Sequence, residues 1–445
     1  MTMLRDLLTP FQSDFSDTRL GRERSHWFIF TLLAVIVPFT SSMSSNLLRS
    51  LQTLFGLNVN ARRFYFFMAS THLAWDRLWP IAWNLIPSPL VDGRLMLALD
   101  DSINNKTGKR IFGCGFFFDH TAKVNQPTYP WAQNIVMLGL LKPIKGRWSC
   151  LPLASRFYHR QKDIDAGKIN ARSHGQVATF QSKMAQAAEM ILRIAAHFSD
   201  KPPLLVVCDS WFGNNGLWKP LSASGQSIHL LSRLRINTAL YAEPNDAAKT
   251  AKGRPRKYGD RCGSVTDLAE SFRELAQTFS VMLYGKQRDV LAYDQVFMLK
   301  NLRCPVRVAW VFRKTQWVAF FTTDLTLSVT QIIEYYGARW KIEAGFKEIK
   351  QEIGSARSQT RTADAVTNHL NFCLLATTLT WIYADRIEAD PERRHIVKGR
   401  TSFAFSDVRR LIADEALSDH FLGLWPNLCQ PLHKSFTKVL MRMVA

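Results

Sequence analysis

The sequence lacks the features that mark a secreted protein, a protein with a structural zinc site or a membrane-spanning protein. Its seven cysteines form no CxxC or CxxH pair, so their spacing indicates neither a zinc site nor a disulfide framework. Its most apolar stretch, Trp27–Phe39, is shorter than the roughly 20 residues that a membrane span needs. Mostly polar residues precede this stretch and no small-residue cleavage site follows it. We therefore expect a buried helix rather than a span or a signal peptide.

Acidic residues are also scarce, with 36 Asp and Glu against 57 Lys and Arg, which gives a formal net charge of +21. This excess favours a polyanionic partner, and nucleic acid is the commonest one. An anionic membrane surface is the rival partner. Binding to anionic vesicles, without binding to DNA at ~150 mM salt, would favour it.

The hydrophobic pattern divides the 445 residues into regions of different character. Residues 1–90 read as short helices separated by turns at 40–45 and 56–60, which is typical of a helix-turn-helix unit and equally of a structural bundle. From residue 94 a short apolar run ends in acids at Asp101. An amphipathic helix is predicted over 178–198, and a buried strand follows over 203–209. This order predicts an α/β arrangement.

The second half of the chain reads as a β-rich stretch followed by helices. Residues 212–327 contain short apolar runs bounded by turn residues, without regular helices between them. Ser328 and Gln331 have the spacing of a capping box, and the chain is expected to be helical from there to its end. The apolar segment 365–383 is a candidate interface for a second copy, or a helix that covers the chain's own core.

Three acids stand out by position. Asp101 and Asp209 end predicted buried strands, and Glu343 lies in a predicted helix. Acids at the carboxyl ends of strands face the crevice where α/β proteins bind ligands. Carboxylate oxygens suit the divalent ions of phosphodiester chemistry. Each aspartate taken alone is equally consistent with a turn or a helix N-cap.

The helix that carries Glu343 presents a second pattern. Tyr336, Arg339, Glu343 and Lys350 fall on one stripe roughly 60° wide, since each residue turns the helix by about 100°. Such a face suits a metal ion and phosphates. A solvated charged stripe, with Arg339 and Glu343 as an i, i+4 ion pair worth only about 0.3 kcal/mol, is the alternative. Gly337 lies inside this helix and is expected to weaken or kink it.

The string YYGARWKIEAGFKEIK at 335–350 resembles the Tyr-x2-Arg-x3-Glu-x6-Lys signature of bacterial cut-and-paste insertion-sequence transposases. The resemblance covers about residues 94–355. It implies a DDE enzyme with an α/β, ribonuclease H-like catalytic core formed by 91–211 and 328–355. The core would carry the β-rich insertion 212–327 and would be flanked by a helical DNA-binding region, 1–90, and a helical region, 356–445, suited to dimerisation.

The resemblance also implies roles for single residues. Asp101, Asp209 and Glu343 correspond to the three catalytic acids, which would bind two Mg²⁺ ions, for which Mn²⁺ can substitute. Asp100 is adjacent and faces the other way on a strand. The family places a small hydroxyl residue directly after the first acid, so Asp101-Ser102 favours Asp101. Tyr336, Arg339 and Lys350 would contact phosphates near the cleaved end.

Further DNA contacts are expected in two loops and on one strand. Lys109 and Arg110 form a plausible phosphate-contacting turn. Arg254, Arg256 and Lys257 resemble a minor-groove hook, or form a solvated basic loop. Trp317 would stack on a base, as a tryptophan in this region does in related hairpin-forming enzymes, or lies in the core.

The expected function is that of a DNA transposase. It would bind terminal inverted repeats of double-stranded DNA as a homodimer in the bacterial cytoplasm, associated with the nucleoid. It would cleave and transfer strands without a nucleotide cofactor or a membrane. A catalytically inactive DNA-binding relative or regulator of the same fold is the alternative, and magnesium-dependent nicking of supercoiled plasmid separates the two.

Overall fold

A computed structural model of the chain describes residues 2–120, 122–169, 172–173, 176–198, 202–244, 257–395, 398 and 402–425. The first part is helical, and the apolar stretch near Trp27 lies in a buried helix that Thr18 caps. No helix in these described ranges is long and apolar enough to cross a membrane. The helices are α1 (Met3–Leu8), a 3-10 turn (Thr9–Asp14), α2 (Arg19–Ile36), α3 (Ser44–Thr53), α4 (Ala61–Met68) and α5 (Trp75–Asn84).

Strands begin where the helical period ends. The first buried run, Leu95–Leu99, is covered on both faces, as expected of a strand in the middle of a sheet. The elements of this part are β1 (Leu95–Asn105), β2 (Cys114–Phe116), β3 (Trp131–Ile144), β4 (Arg147–Tyr158), α6 (Gln161–Asp165), β5 (Arg172–Ser173), β6 (Gln176–Val177), α7 (Lys183–His197), β7 (Leu204–Cys208), α8 (Asn215–Ser222) and β8 (Ile228–Arg233).

The remainder contains a second group of strands and then helices. These elements are β9 (Ala239–Tyr241), β10 (Arg261–Ser264), α9 (Val265–Glu274), β11 (Gln277–Leu283), β12 (Lys286–Leu299), β13 (Cys304–Arg313), β14 (Gln316–Thr322), α10 (Val329–Ala338), α11 (Trp340–Lys347), a π-helical turn (Glu348–Glu352), a 3-10 turn (Ser355–Arg357), α12 (Ala363–Arg386), α13 (Phe405–Ala416) and α14 (Asp419–Gly423). Ser328 and Gln331 form the predicted capping box at the start of α10.

Within the described ranges 12 of the strands form one large mixed sheet, and β5 and β6 form a separate two-stranded sheet. Along its path β3, β1, β7 and β8 are consecutive neighbours, and β4 pairs with β3. β1 runs antiparallel to β3 and parallel to β7, and β7 runs parallel to β8. A helix lies in each crossover that leads to a parallel strand, namely α7 before β7 and α8 before β8, as parallel pairing requires. The chain therefore has a mixed α/β fold.

The stretch 212–327 differs from its sequence-based description in two ways. It contains the helices α8 and α9, and its first strand, β8, belongs to the parallel part of the sheet beside β7. The outer strands continue that same sheet, because β14 pairs with β8. The hydrophobic pattern of the sequence does not reveal these two helices. Half-exposed helices of 8 and 10 residues contain too few apolar positions to show a helical period.

The apolar segment 365–383 forms most of α12, and nearly all of its side chains are buried within the chain. Phe372 lies 5.2 Å from the Phe28 ring of α2, and the hydroxyl of Thr378 donates to the carbonyl of Pro152 in β4. This helix therefore covers the chain's own core, which is the second of the two alternatives that the sequence left open for this segment. The N-terminal helices and the sheet remove the apolar side chains of α12 from water, as an interface with a second copy would also do.

A buried amide fastens the N-terminal helices to α12. The indole Nε1 of Trp75 donates to Oδ1 of Asn368 at 2.7 Å, and Nδ2 of Asn368 donates to the carbonyls of Met68 and Ser70 at 3.0 and 2.9 Å. Buried polar groups must be paired, so one side chain satisfies three groups from the turn between α4 and α5.

We predict that Asn368→Leu lowers the free energy of unfolding by about 2–4 kcal/mol, because it leaves buried donors and acceptors unpaired. Asn371→Leu is the matched control, since Asn371 lies on the same helix, is half-buried and accepts from the indole of Trp79. Urea unfolding followed by circular dichroism measures both variants. An equal loss in the two variants would show that the amide of Asn368 is not a special fastening point.

Candidate active site

The parallel pairing of β1 with β7 brings two acids side by side. Leu99 pairs with Cys208, the last residue of β7, so the next residues are neighbours: Asp100 in the middle of β1 and Asp209 directly after β7. Burial raises the pKa of Asp100, against the opposing effect of the Arg339 guanidinium and with a smaller contribution from the charge of Asp209, to about 7. A pKa this high means that too little positive charge surrounds the carboxylate to stabilise its ionised form. A divalent cation is suited to supply that charge.

Asp209 also has the structural role that its sequence context allows. Its Oδ1 accepts the backbone N–H groups of Trp211 and Phe212, both at 3.0 Å, which closes the turn that leads into α8. Its carbonyl accepts the hydroxyl of Ser232 from β8. In the described part of the chain Oδ2 has no hydrogen-bond partner. One oxygen therefore fixes the loop and the other is available to a ligand.

The helix that carries the signature is divided at Arg339, between α10 and α11. This break in the helix lies two residues after Gly337. A side chain at position 337 would place its Cβ atom 2.6 Å from Cδ2 of Leu283. The N–H of Arg339 donates to Tyr336 rather than to the residue four positions back, which marks a tighter turn. The π-helical turn then places Lys350 differently from a regular helix. The four signature residues nevertheless face one side.

Arg339 forms the centre of this face. Its Nη1 lies 3.2 Å from Oδ2 of Asp100, and its Nη2 lies 3.1 Å from Oε1 of Glu343. Its side chain is 8% exposed, and its Nε has no partner among the residues that the structure describes. The guanidinium thus links strand to helix through two carboxylates, and the pair is not the solvated surface ion pair of the alternative reading.

Tyr336 and Lys350 are held on either side of Arg339. The Tyr336 ring packs on Phe320 of β14 at 4.2 Å, with the Arg339 guanidinium 5.5 Å from its centre, and burial raises the pKa of its phenol. The ammonium of Lys350 donates to the hydroxyl of Ser102 and the carbonyl of Ile103, and burial lowers its pKa to about 8. Lys350 therefore ties the helix to β1.

Asp101 lies on the opposite face of β1 from these residues. Its Oδ2 accepts from Nδ2 of Asn134 at 2.9 Å and from Nζ of Lys183 at 2.7 Å. Ser102, by contrast, shares the face of Asp100, because side chains alternate along a strand. The sequence favoured Asp101 because a hydroxyl residue follows it directly. The structure instead brings Asp100, with a hydroxyl two positions later, to Arg339 and Glu343.

The remaining sequence-predicted contacts have varied positions. Lys109 and Arg110 are exposed in the loop after β1, and Lys257 is exposed before β10. Arg254 and Arg256 lie outside the described residues. Trp317 is half-buried in β14, opposite Phe312 of β13, and packs against the main core, which is the core position that the sequence left open.

The described residues contain no group of three or more acidic, histidine or cysteine side chains already gathered as metal ligands. Arg339 lies between Asp100 and Glu343 instead. Asp100, Asp209 and Glu343 still fit a divalent cation chemically, because they offer carboxylate oxygens around a buried carboxyl group whose pKa is raised to about 7. Ser102 and Lys183 were not singled out by the sequence, although strand alternation from Asp100 would have indicated Ser102.

Comparisons with known proteins bear on this site. The sequence model described as DDE superfamily endonuclease matches residues 18–289, more than half of the chain, a range that contains Asp100, Asp101 and Asp209 and stops before Glu343. No curated protein sequence matches the chain.

Two solved structures resemble the chain at low identity. A cryo-EM structure of the piggyBac transposase synaptic complex with hairpin DNA is 11% identical with a TM-score of 0.48, and the alignment covers 100% of this chain and 85% of that one. The crystal structure of the NurA nuclease from Sulfolobus solfataricus is 9% identical with a TM-score of 0.23, covering 63% of this chain and 86% of that one.

The raised pKa of Asp100 predicts a pH-dependent stability. The folded state holds this proton up to about pH 7, whereas the ordinary value is 3.8, so wild-type stability falls as the pH rises between these values. Asp100→Asn removes this loss. In EDTA, the free energy of unfolding of the variant relative to wild type should increase from pH 4 to pH 7 by roughly 2–4 kcal/mol.

Urea unfolding at several pH values measures this difference. Asp101→Asn on the same strand removes the ion pair with Lys183 and is the matched control, which should not gain stability at neutral pH. A difference between Asp100→Asn and wild type that stays constant from pH 4 to pH 7 would contradict the burial of an ionisable Asp100.

Proposed function

The chain belongs to the DDE superfamily endonucleases, and from this premise we propose that it is a DNA transposase that cleaves and joins strands with divalent metal ions. One observation carries the proposal: Asp100, Asp209, Arg339 and Glu343 come together where β7 ends beside β1.

We assign Asp100, Asp209 and Glu343 as the metal-binding acids. The choice of Asp100 replaces Asp101, because only Asp100 lies on the face of Arg339 and Glu343. When bound, one or two Mg²⁺ or Mn²⁺ ions would activate the attacking oxygen and stabilise the leaving oxygen. The side chain of Glu343 is more exposed than that of Asp100 and lies on a helix, so it can adjust to the ligand that Asp100 and Asp209 position.

The cations around the acids suit a phosphodiester backbone. Arg339 is buried and has an Nε–H without a described partner, so a phosphate oxygen would satisfy that donor. Exposed cations at Lys109 and Arg110 extend the positive surface along the loop after β1. The net charge of +21 supports the same polyanionic substrate. We propose double-stranded DNA, with terminal inverted repeats as the specific sites.

The strand order supports a ribonuclease H-like core. β4, β3 and β1 form an antiparallel meander, and β7 and β8 extend it on the other side of β1 in parallel. We place the insertion after β8, from about residue 234, rather than from 212. The helix-turn-helix role of the N-terminal region remains part of the proposal, as do a homodimer that engages both DNA ends and a place on the bacterial nucleoid.

An inactive DNA-binding relative is the second candidate, and one observation favours it. The Arg339 guanidinium lies between Asp100 and Glu343, where it competes with a cation for both carboxylates. For an active enzyme, this side chain must turn toward DNA when metal binds. Cleavage therefore separates the two candidates.

We predict that the purified chain nicks supercoiled plasmid in Mn²⁺. Asp100→Asn, Asp209→Asn and Glu343→Gln should each lower the rate below about one-hundredth of wild type, because each removes a charged metal ligand. Asp101→Asn keeps the neighbouring acid and should retain measurable cleavage. Loss of cleavage in Asp101→Asn with full activity in Asp100→Asn would reverse the assignment. An inactive wild-type chain that still binds DNA would favour the regulator.

A further inference from the structure

The face of β1 opposite the metal-binding acids carries a second polar cluster at the same edge of the sheet. Asp101 accepts from both Lys183 and Asn134 at 2.7 and 2.9 Å. Asn134 comes from the neighbouring strand β3, and Lys183 is the first residue of α7. Three separate elements therefore converge on one carboxylate that the proposed chemistry does not use.

Aromatic rings flank the ammonium of Lys183. Nζ lies 5.2 Å from the centre of the Tyr158 ring and 5.4 Å from that of Trp211. Phe180 extends the aromatic surface, 6.5 Å from Tyr158. Trp211 and Phe180 are 44% and 41% exposed, which is high for large apolar side chains. A cation between exposed aromatic rings is the combination with which proteins hold single-stranded nucleic acid.

Two further observations indicate a ligand rather than a closed ion pair. Asn134 is 3% exposed, and its Oδ1 has no partner among the described residues. The first turn of α7 contains no acidic residue, and its amino terminus adds positive potential beside Lys183. A simple Asp101–Lys183 salt bridge explains neither the exposed rings nor the unpaired amide oxygen.

The cluster is fixed to the proposed catalytic edge. Oδ1 of Asp209 accepts the backbone N–H groups of Trp211 and Phe212, so the loop that presents the indole is held by a metal-binding acid. The loop 209–212 thus connects the two groups, with the acids on one face of β1 and the aromatic cluster on the other.

We propose that Lys183, Tyr158 and Trp211 form a second nucleotide-binding site, which holds an unpaired stretch of DNA strand beside the cut. A phosphate contacts Lys183 and a base stacks on Trp211. Asp101 is a positioning residue that keeps Lys183 between the rings. This inference rests on the proposed function to the extent that the chain must act on DNA.

The test is binding of a fluorescein-labelled oligothymidine, followed by anisotropy in EDTA so that no strand is cut. Lys183→Ala and Trp211→Ala should each weaken binding roughly tenfold, through a lost phosphate contact and a lost stacking contact. Binding of a blunt duplex should change far less. Trp211→Phe should retain most of the affinity for oligothymidine, because it keeps a stacking ring.

The salt dependence identifies the phosphate contact. Lys183→Ala should reduce the slope of log K against log salt by about 0.7, the value for one contact on a single strand, and Lys183→Arg should restore it. Lys286→Ala removes the same charge from the exposed end of β12 and should leave the slope unchanged. Asp101→Asn should weaken the binding of oligothymidine and leave the slope unchanged. If Asp101 acted only as a metal ligand, this substitution would have no effect on binding in EDTA.

The failures are distinguishable. A wild-type chain that binds neither oligothymidine nor duplex would overturn the proposed function itself. The second site alone would be overturned if Lys183→Ala left the affinity and slope of wild-type binding unchanged and if Trp211→Ala, folded by circular dichroism, also bound normally.

Discussion

The buried guanidinium of Arg339 is the interaction on which the site depends. It joins Asp100 of β1 to Glu343 of α11, two elements far apart in sequence, and it offsets the repulsion between carboxylates in a region of low solvent access. Because a buried cation must be paired, the register in which the helix meets the sheet is one that supplies Asp100 to Arg339 beside the helix's own Glu343. The contact of Lys350 with Ser102 and Ile103 then fixes the far end of the same helix.

The parallel register of β1 and β7 is the second constraint. It sets Asp100 beside Asp209, and the two faces of β1 have different surroundings. On one face, a carboxyl group with a raised pKa lies with a buried arginine and a half-buried glutamate. On the other, Asp101 holds Lys183 between two aromatic rings. A single pair of adjacent aspartates thereby serves both sides of one strand.

Local pattern predicted much of this arrangement. The helical spacing of Tyr336, Arg339, Glu343 and Lys350 placed them on one face, and the capping box at Ser328 marked where their helix begins. The face of β1 that meets this helix was beyond local pattern, because the partner of Asp100 lies 239 residues away. The hydroxyl after Asp101 favoured Asp101 as the first acid, whereas Asp100 is the neighbour that contacts Arg339. The apolar segment of α12 was equally ambiguous, since hydrophobic burial against the chain's own sheet or against a second copy leaves the same sequence pattern.

The central claim is that Asp100, rather than Asp101, completes the metal site with Asp209 and Glu343. Anomalous diffraction from crystals of the full chain, grown with DNA and soaked in Mn²⁺, tests it directly. We predict anomalous peaks within coordination distance of Asp100 and Asp209, with the Arg339 guanidinium moved from between the acids toward a phosphate. Peaks on Asp101, or Mn²⁺ absent from Asp100 while DNA occupies the site, would contradict the account.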